Sequence, residues 1–510
     1  MDREPEAGDD RLKSTVKASP PWLISCIVHA LIVVILGLIP LLVMPHETLE
    51  FVASITDEMG EQTELESFTS ADLLDPEVFV PPTIDEVFVE DPQPMLSPVV
   101  KLPDLELGIS EVGAPQMGQL LSGREAGTKR ALLAAYGGSE KTESSVLAGL
   151  RWLQRRQDKN GLWSLSGRSG RRGMNNDANY AGGGMEENKA AATAMAMLAF
   201  QGYGQTHLGG PRIEFRRIMA RAKTALLKMQ SKRGDFLRVN RGDPSLDDNH
   251  RFYTQAMCTF ALCELFAMSG DSDLRKPAQE AVDFLVKNQD TDGGWRYGRQ
   301  SGFRPRSDLS VTGWVMMALQ SARMADLKVP DRTLYRVEQF LDLVSQQGGS
   351  IYSYTAAKEW SLSMTAEGLL CRQYLGWKQD HPAMLDGAEV LLDSVIDDTN
   401  QNVYYWYYAT QTLHNLEGKY WKQWNEVMSE YLPDKQVVDG REQGSWSPDE
   451  DAYGHAGGRL YTTCLSIYML EVYYRHLPIY TLNLNLAVKK PEQEEKARRT
   501  KDDDEQASRD

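Results

Sequence analysis

The sequence predicts an all-α protein in which helix pairs form a closed double ring, preceded by one membrane-spanning segment. Three observations predict this architecture: a long uncharged apolar run near the N-terminus, a repeated motif of glutamine, glycine and an aromatic residue, and apolar helices between the copies of that motif. With 510 residues, of which 42% are hydrophobic and 25% charged, the chain is long enough to bury one large core.

The first element is an apolar run over residues 22–44, which contains no Asp, Glu, Lys or Arg. Such a run is long enough to cross a bilayer as a helix, and it exceeds the apolar region of a cleaved signal peptide. Because Arg11, Lys13 and Lys17 precede it, the positive-inside rule leaves residues 1–21 in the cytoplasm. We therefore expect a single-pass protein of the inner (cytoplasmic) membrane, with the lipid bilayer as a partner and a periplasmic or extracytoplasmic main domain.

Two polar segments flank the main domain, which the helical patterns assign to residues 126–480. Residues 45–125 are rich in Glu, Asp and Pro, a composition typical of an extended linker; the alternative is that their β-prone triplets add strands to a partner. For the charged residues 481–510 disorder is expected. The net charge of −17 argues against binding to nucleic acid, and protein partners stay unknown.

A repeated motif organises the main domain: a glutamine is followed by a glycine four residues later and by an aromatic residue six residues later. The three full copies are Gln157, Gly161 and Trp163; Gln230, Gly234 and Phe236; and Gln289, Gly293 and Trp295. Partial copies start at Gln339, lie near Val390, and end at Gly444-Ser445-Trp446. We expect the glutamine amide to satisfy backbone groups at a helix end while the ring packs over the turn.

Between these copies lie helices that are apolar nearly all round and begin near a threonine. The threonines are Thr193, Thr254, Thr312, Thr365, Thr410 and Thr462. Their intervals of 45 to 61 residues suit one helix pair per step, so six steps give twelve helices. Because amphipathic helices alternate with fully apolar ones, a double ring with the apolar helices innermost accommodates both kinds.

The repeats, spread over residues 140–478, resemble the QW motifs of the squalene cyclase and protein prenyltransferase repeat superfamily, and in particular a squalene-cyclase-like group of membrane-anchored bacterial proteins. This resemblance implies an α/α-toroid of six inner and six outer helices. It also implies that the N-termini of the inner helices border a central apolar cavity that accepts isoprenoid chains. An isoprenoid-like or other apolar small molecule is accordingly the expected ligand.

The catalytic motifs of that superfamily are incomplete in this sequence. Squalene–hopene-type cyclases protonate an alkene with the central acid of a D-x-D-D-T-A motif; the matching stretch starts at Asp308 and has Ser310 at the proton-donating position. Prenyltransferases hold zinc with an Asp-x-Cys pair and a distant histidine, and Ser310 and Thr462 stand at two of those three positions. The sequence therefore predicts no metal and no cofactor, and it leaves catalysis open.

Other residues are candidates for a site on the strength of their type and position. Candidates for an acid or base are Asp308, Asp248 and His250, although Asp247 to His250 also suit a solvated helix cap. Candidates for ligand binding are Thr312, Trp314, Tyr405, Trp406 and Tyr461. The aromatic run 404–408 is compatible with either ligand binding or core packing. Two interpretations also remain for Asp451, His455 and Arg459: a polar cluster at the cavity mouth, or a loop whose polar groups hydrogen-bond to one another.

Three functions stay open on the sequence alone. The leading one is a toroid that binds an apolar ligand; the others are an active cyclase, isomerase or transferase using Asp308 or residues 247–250 as its acid, and a non-catalytic envelope scaffold. An aromatic cavity with a buried carboxyl group would favour the enzyme. A cavity filled by the protein's own side chains would favour the scaffold.

Overall fold

The computed structural model describes residues 117–168, 178–185, 187–236, 250–297, 307–477 and 479–480. The expected cytoplasmic segment 1–21, the anchor 22–44 and the tail 481–510 lie outside these residues, as does most of the linker. Within the residues that the structure describes, no helix is long and apolar enough to cross a membrane. The anchor, the linker and the tail therefore stay predictions.

The described part of the chain is almost entirely helical. Its helices are α1 (Ala126–Tyr136), α2 (Glu140–Arg156), α3 (Lys189–Gly202), α4 (Ile213–Met229), α5 (Arg251–Ser269), α6 (Ser272–Lys287), α7 (Leu309–Met324), α8 (Asp331–Val344), α9 (Leu362–Tyr374), α10 (Pro382–Leu392), α11 (Val403–Leu416), α12 (Gly418–Asp434), α13 (Gly454–Leu470) and α14 (Val472–Arg475). A 3₁₀ helix, Met117–Arg124, precedes α1, and an antiparallel pair of two-residue strands, β1 (Ser345–Gln346) and β2 (Ile351–Tyr352), follows α8.

Six helices, α3, α5, α7, α9, α11 and α13, form a closed inner ring. Each contacts the next in the series, and α13 contacts α3. Almost every residue of these helices is buried, as the apolar pattern around their whole circumference predicted. The threonine-led helices are therefore the innermost ones, and the predicted ring is confirmed.

The amphipathic helices α2, α4, α6, α8, α10 and α12 form the outer layer. Each packs on an inner helix through one buried face, such as Phe215, Ile218, Ala222 and Leu226 in α4. Five of them pack on the inner helix that precedes them in the chain. The sixth, α2, packs on α13, so the first outer helix and the last inner helix close the double ring.

The glutamine of the repeat joins consecutive outer helices. Its Nε2 donates to the carbonyl of the glycine in its own motif and to a carbonyl of the next outer helix. The second contact measures 3.0 Å from Gln157 to Ile218, 2.8 Å from Gln230 to Pro277 and 3.0 Å from Gln289 to Thr333. Each amide therefore satisfies two carbonyl groups, as a glutamine at a helix end was expected to do.

Gln436 makes the same kind of contact where the last outer helix, α12, meets the first, α2; we call this junction the seam of the ring. Its Nε2 donates to the carbonyl of Ser145 in α2 at 2.8 Å and to that of Gly444 at 2.9 Å, so it links the last outer helix to the first. The sequence pattern missed this glutamine because it precedes its glycine by eight residues instead of four. The intervening residues form a longer turn that keeps the same contacts.

The glycine of the repeat is required because it touches the backbone of the next outer helix. Gly293 has φ 100°, and a Cβ there would lie 2.0 Å from the carbonyl oxygen of Arg336. Gly444 has φ 91°, and its Cβ would lie 2.3 Å from the oxygen of Ala148. Any side chain would push adjacent outer helices apart and would also strain the backbone.

The aromatic residue of the repeat ties the outer layer to the inner one. The indole Nε1 of Trp295 donates to the carbonyl of Leu285 in α6 at 2.9 Å, and its backbone N–H donates to Oγ1 of Thr312 in α7 at 3.0 Å. Trp163 and Trp446 make the same two kinds of contact, with Thr193 and Thr463 as acceptors. The acceptor is the repeated threonine at Thr193 and Thr312, but in the last inner helix it is Thr463 instead of Thr462. The backbone N–H of Phe236 donates to Gln255 instead of Thr254.

The first and last described segments cover the end of the ring at which the inner helices terminate. The 3₁₀ helix contacts α7 and α14, and the buried guanidinium of Arg124 forms two hydrogen bonds of 2.9 Å to the carboxylate of Glu264 in α5. Ile479 is buried, and the Tyr480 hydroxyl donates to the carbonyl of Trp377 at 2.9 Å. The 3₁₀ helix, which the sequence assigned to the linker, is therefore part of this cover.

The substitution Gln436→Ala tests the seam. It should lower the free energy of unfolding by about 1–3 kcal/mol, because two carbonyls lose their donor. Gln443→Ala, which removes an exposed side chain from the same loop, should change it by less than about 0.5 kcal/mol. Urea denaturation followed by circular dichroism measures both values, and equal losses in the two variants would contradict the assigned contact.

Candidate functional site

Asp308 is a fully buried carboxyl group at the start of inner helix α7. It is the N-cap: Oδ1 accepts hydrogen bonds from the backbone N–H of Val311 at 2.9 Å and from Oγ of Ser310 at 2.8 Å. Oδ2 has no partner with good hydrogen-bond geometry, but the Tyr354 hydroxyl interacts with the carboxyl group. Burial raises the pKa of Asp308 to about 7, although these hydrogen bonds oppose the rise.

Glu367 is a second buried carboxyl group, contributed by the next inner helix, α9. Its Oε2 accepts a hydrogen bond of 2.9 Å from the Tyr404 hydroxyl. A Cβ at Gly313 would lie 1.9 Å from Oε1, so the carboxyl group rests against the backbone of α7. Burial raises the pKa of Glu367 well above its usual range, and the negative charge of Asp308 adds to that rise.

Ser310 lies between these carboxyl groups and the neighbouring tyrosines. The Tyr253 hydroxyl donates to Oγ of Ser310 at 2.5 Å, and Oγ in turn donates to Asp308. The Tyr404 hydroxyl, which donates to Glu367, lies 3.4 Å from the carbonyl oxygen of Ser310. The position at which the resemblance implies a catalytic acid is thus a hydroxyl group that is hydrogen-bonded to one buried carboxyl group.

Aromatic side chains fill the centre of the ring on the side of α7 and α11. Trp314 stacks on Tyr407 with 5.8 Å between ring centroids and an interplanar angle of 18°. Tyr407 also meets Tyr408 at 5.2 Å and Tyr468 of α13 at 5.6 Å. Part of the aromatic run 404–408 is therefore packed core.

Residual solvent exposure remains on three neighbouring helices at the opposite side of the ring. Met257 is 9%, Tyr253 8%, Tyr461 7% and Ala191 5% exposed, whereas Trp314 is 1% exposed. We call the first four residues the accessible strip; they lie near the N-terminal ends of α3, α5 and α13. Because α3 carries mainly alanine here, its side chains fill little space.

The other predicted ligand-binding residues face different surroundings. Thr312 donates to the carbonyl of Asp308 at 2.7 Å as well as accepting from Trp295, so its hydroxyl is used by the backbone. The Tyr405 hydroxyl donates to Leu391 of α10 at 2.6 Å.

The Trp406 ring meets that of Tyr431 in α12 at 5.7 Å. Tyr405 and Trp406 accordingly lie between the two layers of helices, whereas Trp314 belongs to the packed centre and Tyr461 to the accessible strip.

Of the predicted acid–base group before α5, Asp248 and its neighbours 247 and 249 lie outside the described residues. His250 immediately precedes α5 with φ 73°, and its carbonyl accepts from the N–H and the hydroxyl of Thr254. Burial lowers the pKa of His250 to about 4, so its imidazole is neutral at pH 7.

The predicted cluster at Asp451 serves the loops around it. Asp451 accepts hydrogen bonds from the backbone N–H of Val403 at 2.7 Å and of Tyr453 at 3.0 Å. Arg459 donates to the carbonyl of Ala181 at 2.7 Å. Among the residues with described positions, no group of three His, Cys, Asp or Glu side chains is arranged to hold a metal ion.

Glu367 is the site residue that sequence reasoning missed. Its signal is an acidic residue two positions after the repeat threonine Thr365, inside a helix whose other early residues are apolar or small. A carboxyl group at such a position is buried by the ring, and burial is what makes it chemically unusual. Together with Asp308 it provides two carboxyl groups that can hold a proton in an apolar site.

No protein-family model matches the sequence, and the comparison with curated proteins finds no match. Among solved structures, the chain is similar to type II terpene cyclase MstE from Scytonema, with 13% identity, a TM-score of 0.43, and coverage of 67% of this chain and 98% of that one. It is also similar to an inactive variant of an alpha-1,6-mannanase of Salegentibacter sp. HEL1_6, in complex with alpha-1,6-mannotriose, at 8% identity, a TM-score of 0.43, and coverage of 65% and 99%.

The raised pKa of Asp308 predicts how stability depends on pH. The pKa of Asp308 moves from 3.8 to about 7 on folding. Burying its charge therefore does not reduce the free energy of unfolding below about pH 4, and the reduction grows with pH until it is complete above pH 7. Asp308→Asn keeps an oxygen as helix cap but carries no charge. The stability of this variant relative to the natural protein should therefore be greater at pH 8 than at pH 4 by roughly 1–3 kcal/mol.

Thermal unfolding at both pH values measures this gain, with Asp273→Asn on the exposed face of α6 as the control. A stability difference between Asp308→Asn and the natural protein that stays the same at pH 4 and pH 8 would contradict the assigned burial of charge.

The contact between Glu367 and Gly313 predicts a coupled pair of substitutions. Gly313→Ala should destabilise the protein by about 1–3 kcal/mol, because the added methyl group overlaps the carboxyl group. In a Glu367→Ala background the same change should cost far less, because the space is then free. A double-mutant cycle measures the difference, and equal costs in both backgrounds would show that the two residues do not touch.

Proposed function

We propose that the ring binds an isoprenoid-like or other apolar ligand at the N-terminal ends of its inner helices. The observation that supports this proposal is the accessible strip of Ala191, Tyr253, Met257 and Tyr461 beside the buried cluster of carboxyl and hydroxyl groups. Small-molecule sites combine apolar walls with a few converging polar groups, and this region has both.

The covered end of the ring supports one direction of entry. Arg124 and Glu264 hold the 3₁₀ helix across the C-terminal ends of the inner helices, and Ile479 is buried there as well. A ligand would therefore enter from the N-terminal ends, where the accessible strip begins. In this proposal the predicted anchor, residues 22–44, keeps the domain at an extracytoplasmic membrane surface, where apolar ligands dissolve.

Proton transfer to or from the bound ligand is the second candidate function. It is favoured by Asp308, whose pKa of about 7 suits a general acid or base at neutral pH. The hydroxyl groups of Ser310 and Tyr354 interact with this carboxyl group and would hold it in place during such a transfer. The scaffold alternative draws support from the packed rings of Trp314 and Tyr407, but these fill only one side of the ring.

Ligand binding can be tested on the full chain by native mass spectrometry after extraction in a mild detergent. The natural protein should carry a bound apolar mass. Ala191→Phe should reduce its occupancy at least fivefold, because the ring would occupy the accessible strip.

Met257→Leu, which nearly conserves volume, should retain the ligand and serves as the control. An empty natural protein across several preparations, or equal occupancy in Ala191→Phe, would overturn the proposal. A bound mass that changes with time only when Asp308 is intact would instead favour the catalytic candidate.

A further inference from the structure

The loop between α3 and α4 exposes two large apolar side chains at the covered end of the ring. Leu208 is 53% and Ile213 is 77% exposed, and they are two of six exposed large apolar side chains among the described residues. The Gln205 side chain donates to the carbonyl of Gly209 at 2.9 Å and accepts from the N–H of Arg212 at 3.1 Å. Because both bonds use one amide group, the chain from Leu208 to Ile213 is held as one compact loop.

Basic side chains lie beside these two apolar ones. Arg216 and Arg217 follow Ile213 by three and four residues in α4, so one helix turn brings them next to it. Both are exposed, and within the described part of the chain neither guanidinium has an ion pair or a hydrogen bond. Residues 205–233 contain eight Lys and Arg against one acid, Glu214. The set that we call the basic apolar edge is Leu208, Arg212, Ile213, Arg216 and Arg217.

The nearest acid from another helix is already paired. Asp271, which caps α6, accepts from Nζ of Lys223 at 2.8 Å, and its carboxylate lies 2.8 Å from Nε2 of His207. It is therefore not available to neutralise Arg216 or Arg217.

The ring does not share the acidity of the whole chain. Residues 1–116 contain 22 acidic and 5 basic residues, whereas residues 117–480 contain 42 and 43. Within the ring, α4 lies opposite α10, and residues 351–450, which include α9 to α12, contain 16 acidic and 7 basic residues. The net charge of −17 therefore does not keep an anionic surface away from α4.

The size and chemistry of the basic apolar edge favour a lipid surface over a protein partner. A stable protein interface buries about 1,200–2,000 Å² around an apolar core, which two aliphatic side chains cannot supply. A bilayer accepts single apolar side chains into its interfacial region, and the phosphate groups of its lipids attract arginine. Residues 117–124, which follow the predicted anchor and linker, meet the ring at the same end, since a Cβ at Gly204 would lie 2.9 Å from the carbonyl oxygen of Arg124.

We propose that the basic apolar edge contacts a bilayer that contains anionic phospholipids. Leu208 and Ile213 enter the region between headgroups and acyl chains, and Arg216 and Arg217 pair with headgroup phosphates. The covered end of the ring then faces the membrane, and α4 leads away from it. The proposal goes beyond the proposed function and does not depend on it, because the accessible strip lies at the other end of the ring.

The test uses the full chain in vesicles of phosphatidylcholine with about one third phosphatidylglycerol, which carries the negative charge. A fluorophore is attached at Ile213→Cys or, as a matched control, at Val438→Cys; the natural side chains are 77% and 76% exposed. Val438 follows α12 at the other end of the ring. The four described cysteines are buried and do not compete for the label, and Cys26→Ser is included in every protein.

Lipids that carry a nitroxide near the headgroup should quench the label at position 213 at least twofold and the label at position 438 by less than about a fifth. In Arg216→Glu with Arg217→Glu, quenching at position 213 should fall to the level at position 438, because anions replace two cations. Lysine at both positions should preserve it. The control reverses Lys232 and Arg233, which are exposed at the other end of α4, and should leave quenching at position 213 unchanged.

Equal quenching at positions 213 and 438 would overturn the proposal, and so would quenching at 213 that survives the reversal of Arg216 and Arg217. Quenching at 213 of the same size in vesicles of phosphatidylcholine alone would overturn the role of the anionic lipid. A label at 213 that is shielded from aqueous iodide without being quenched by the lipids would show that protein, such as the acidic residues before position 117, covers the edge instead.

Discussion

The double ring depends on one recurring contact, in which a glutamine amide bridges the end of one outer helix and a carbonyl of the next. The contact recurs at Gln157, Gln230, Gln289 and Gln436, and the last of these joins the final outer helix to the first. The adjoining glycine brings the turn into backbone contact with the same neighbour. Among the described residues this bridge is present at four of the six steps between outer helices, and at those steps it repeats one geometry between neighbours.

Closure of the ring determines where chemistry can occur. All six inner helices run in the same direction, so their N-terminal ends meet at one end of the ring. Polar caps gather there as a consequence: Asn188, Asp308, Ser361 and Asn402 each accept a backbone N–H of the helix they begin. Asp308 is the only acid of these four, and Glu367 reaches the same region from inside α9. The fold thereby isolates two carboxyl groups from water next to side chains that retain some exposure.

Most of the fold could be predicted from the sequence, because its repeat encodes contacts between neighbouring elements. Spacing identified the helix pairs, the apolar pattern identified the inner position of the threonine-led helices, and the chemistry of the glutamine amide identified the structural role of the motif. It missed Gln436, because a longer turn can preserve a contact while changing its spacing. The 3₁₀ helix at Met117–Arg124 was missed because its packing involves inner helices far along the chain.

The candidate site could be predicted only in part. Asp308 and Tyr461 were named from stretches that resemble motifs of the superfamily. Tyr405 and Trp406, also predicted, lie between the layers, since helical rotation decides which residues of an aromatic run face inward. Glu367 belongs to no recognisable sequence motif. A single acidic residue in an apolar helix stands out as a candidate site residue only once the structure shows that the ring encloses it. Spacing along the chain cannot supply this information, because the groups that contact Glu367 come from the other helices α7 and α11.

Closure of the ring is the central claim, and zero-length cross-linking between amines and carboxylates tests it most directly. The exposed pair Lys141 and Glu430 joins α2 to α12 across the seam at 2.5 Å, and Lys419 and Glu389 join α12 to α10 at 2.6 Å. In monomeric protein, mass spectrometry should detect both cross-links with comparable yield. Formation of the Lys419–Glu389 link without any link from Lys141 to α12 would show that the outer layer is open at the seam.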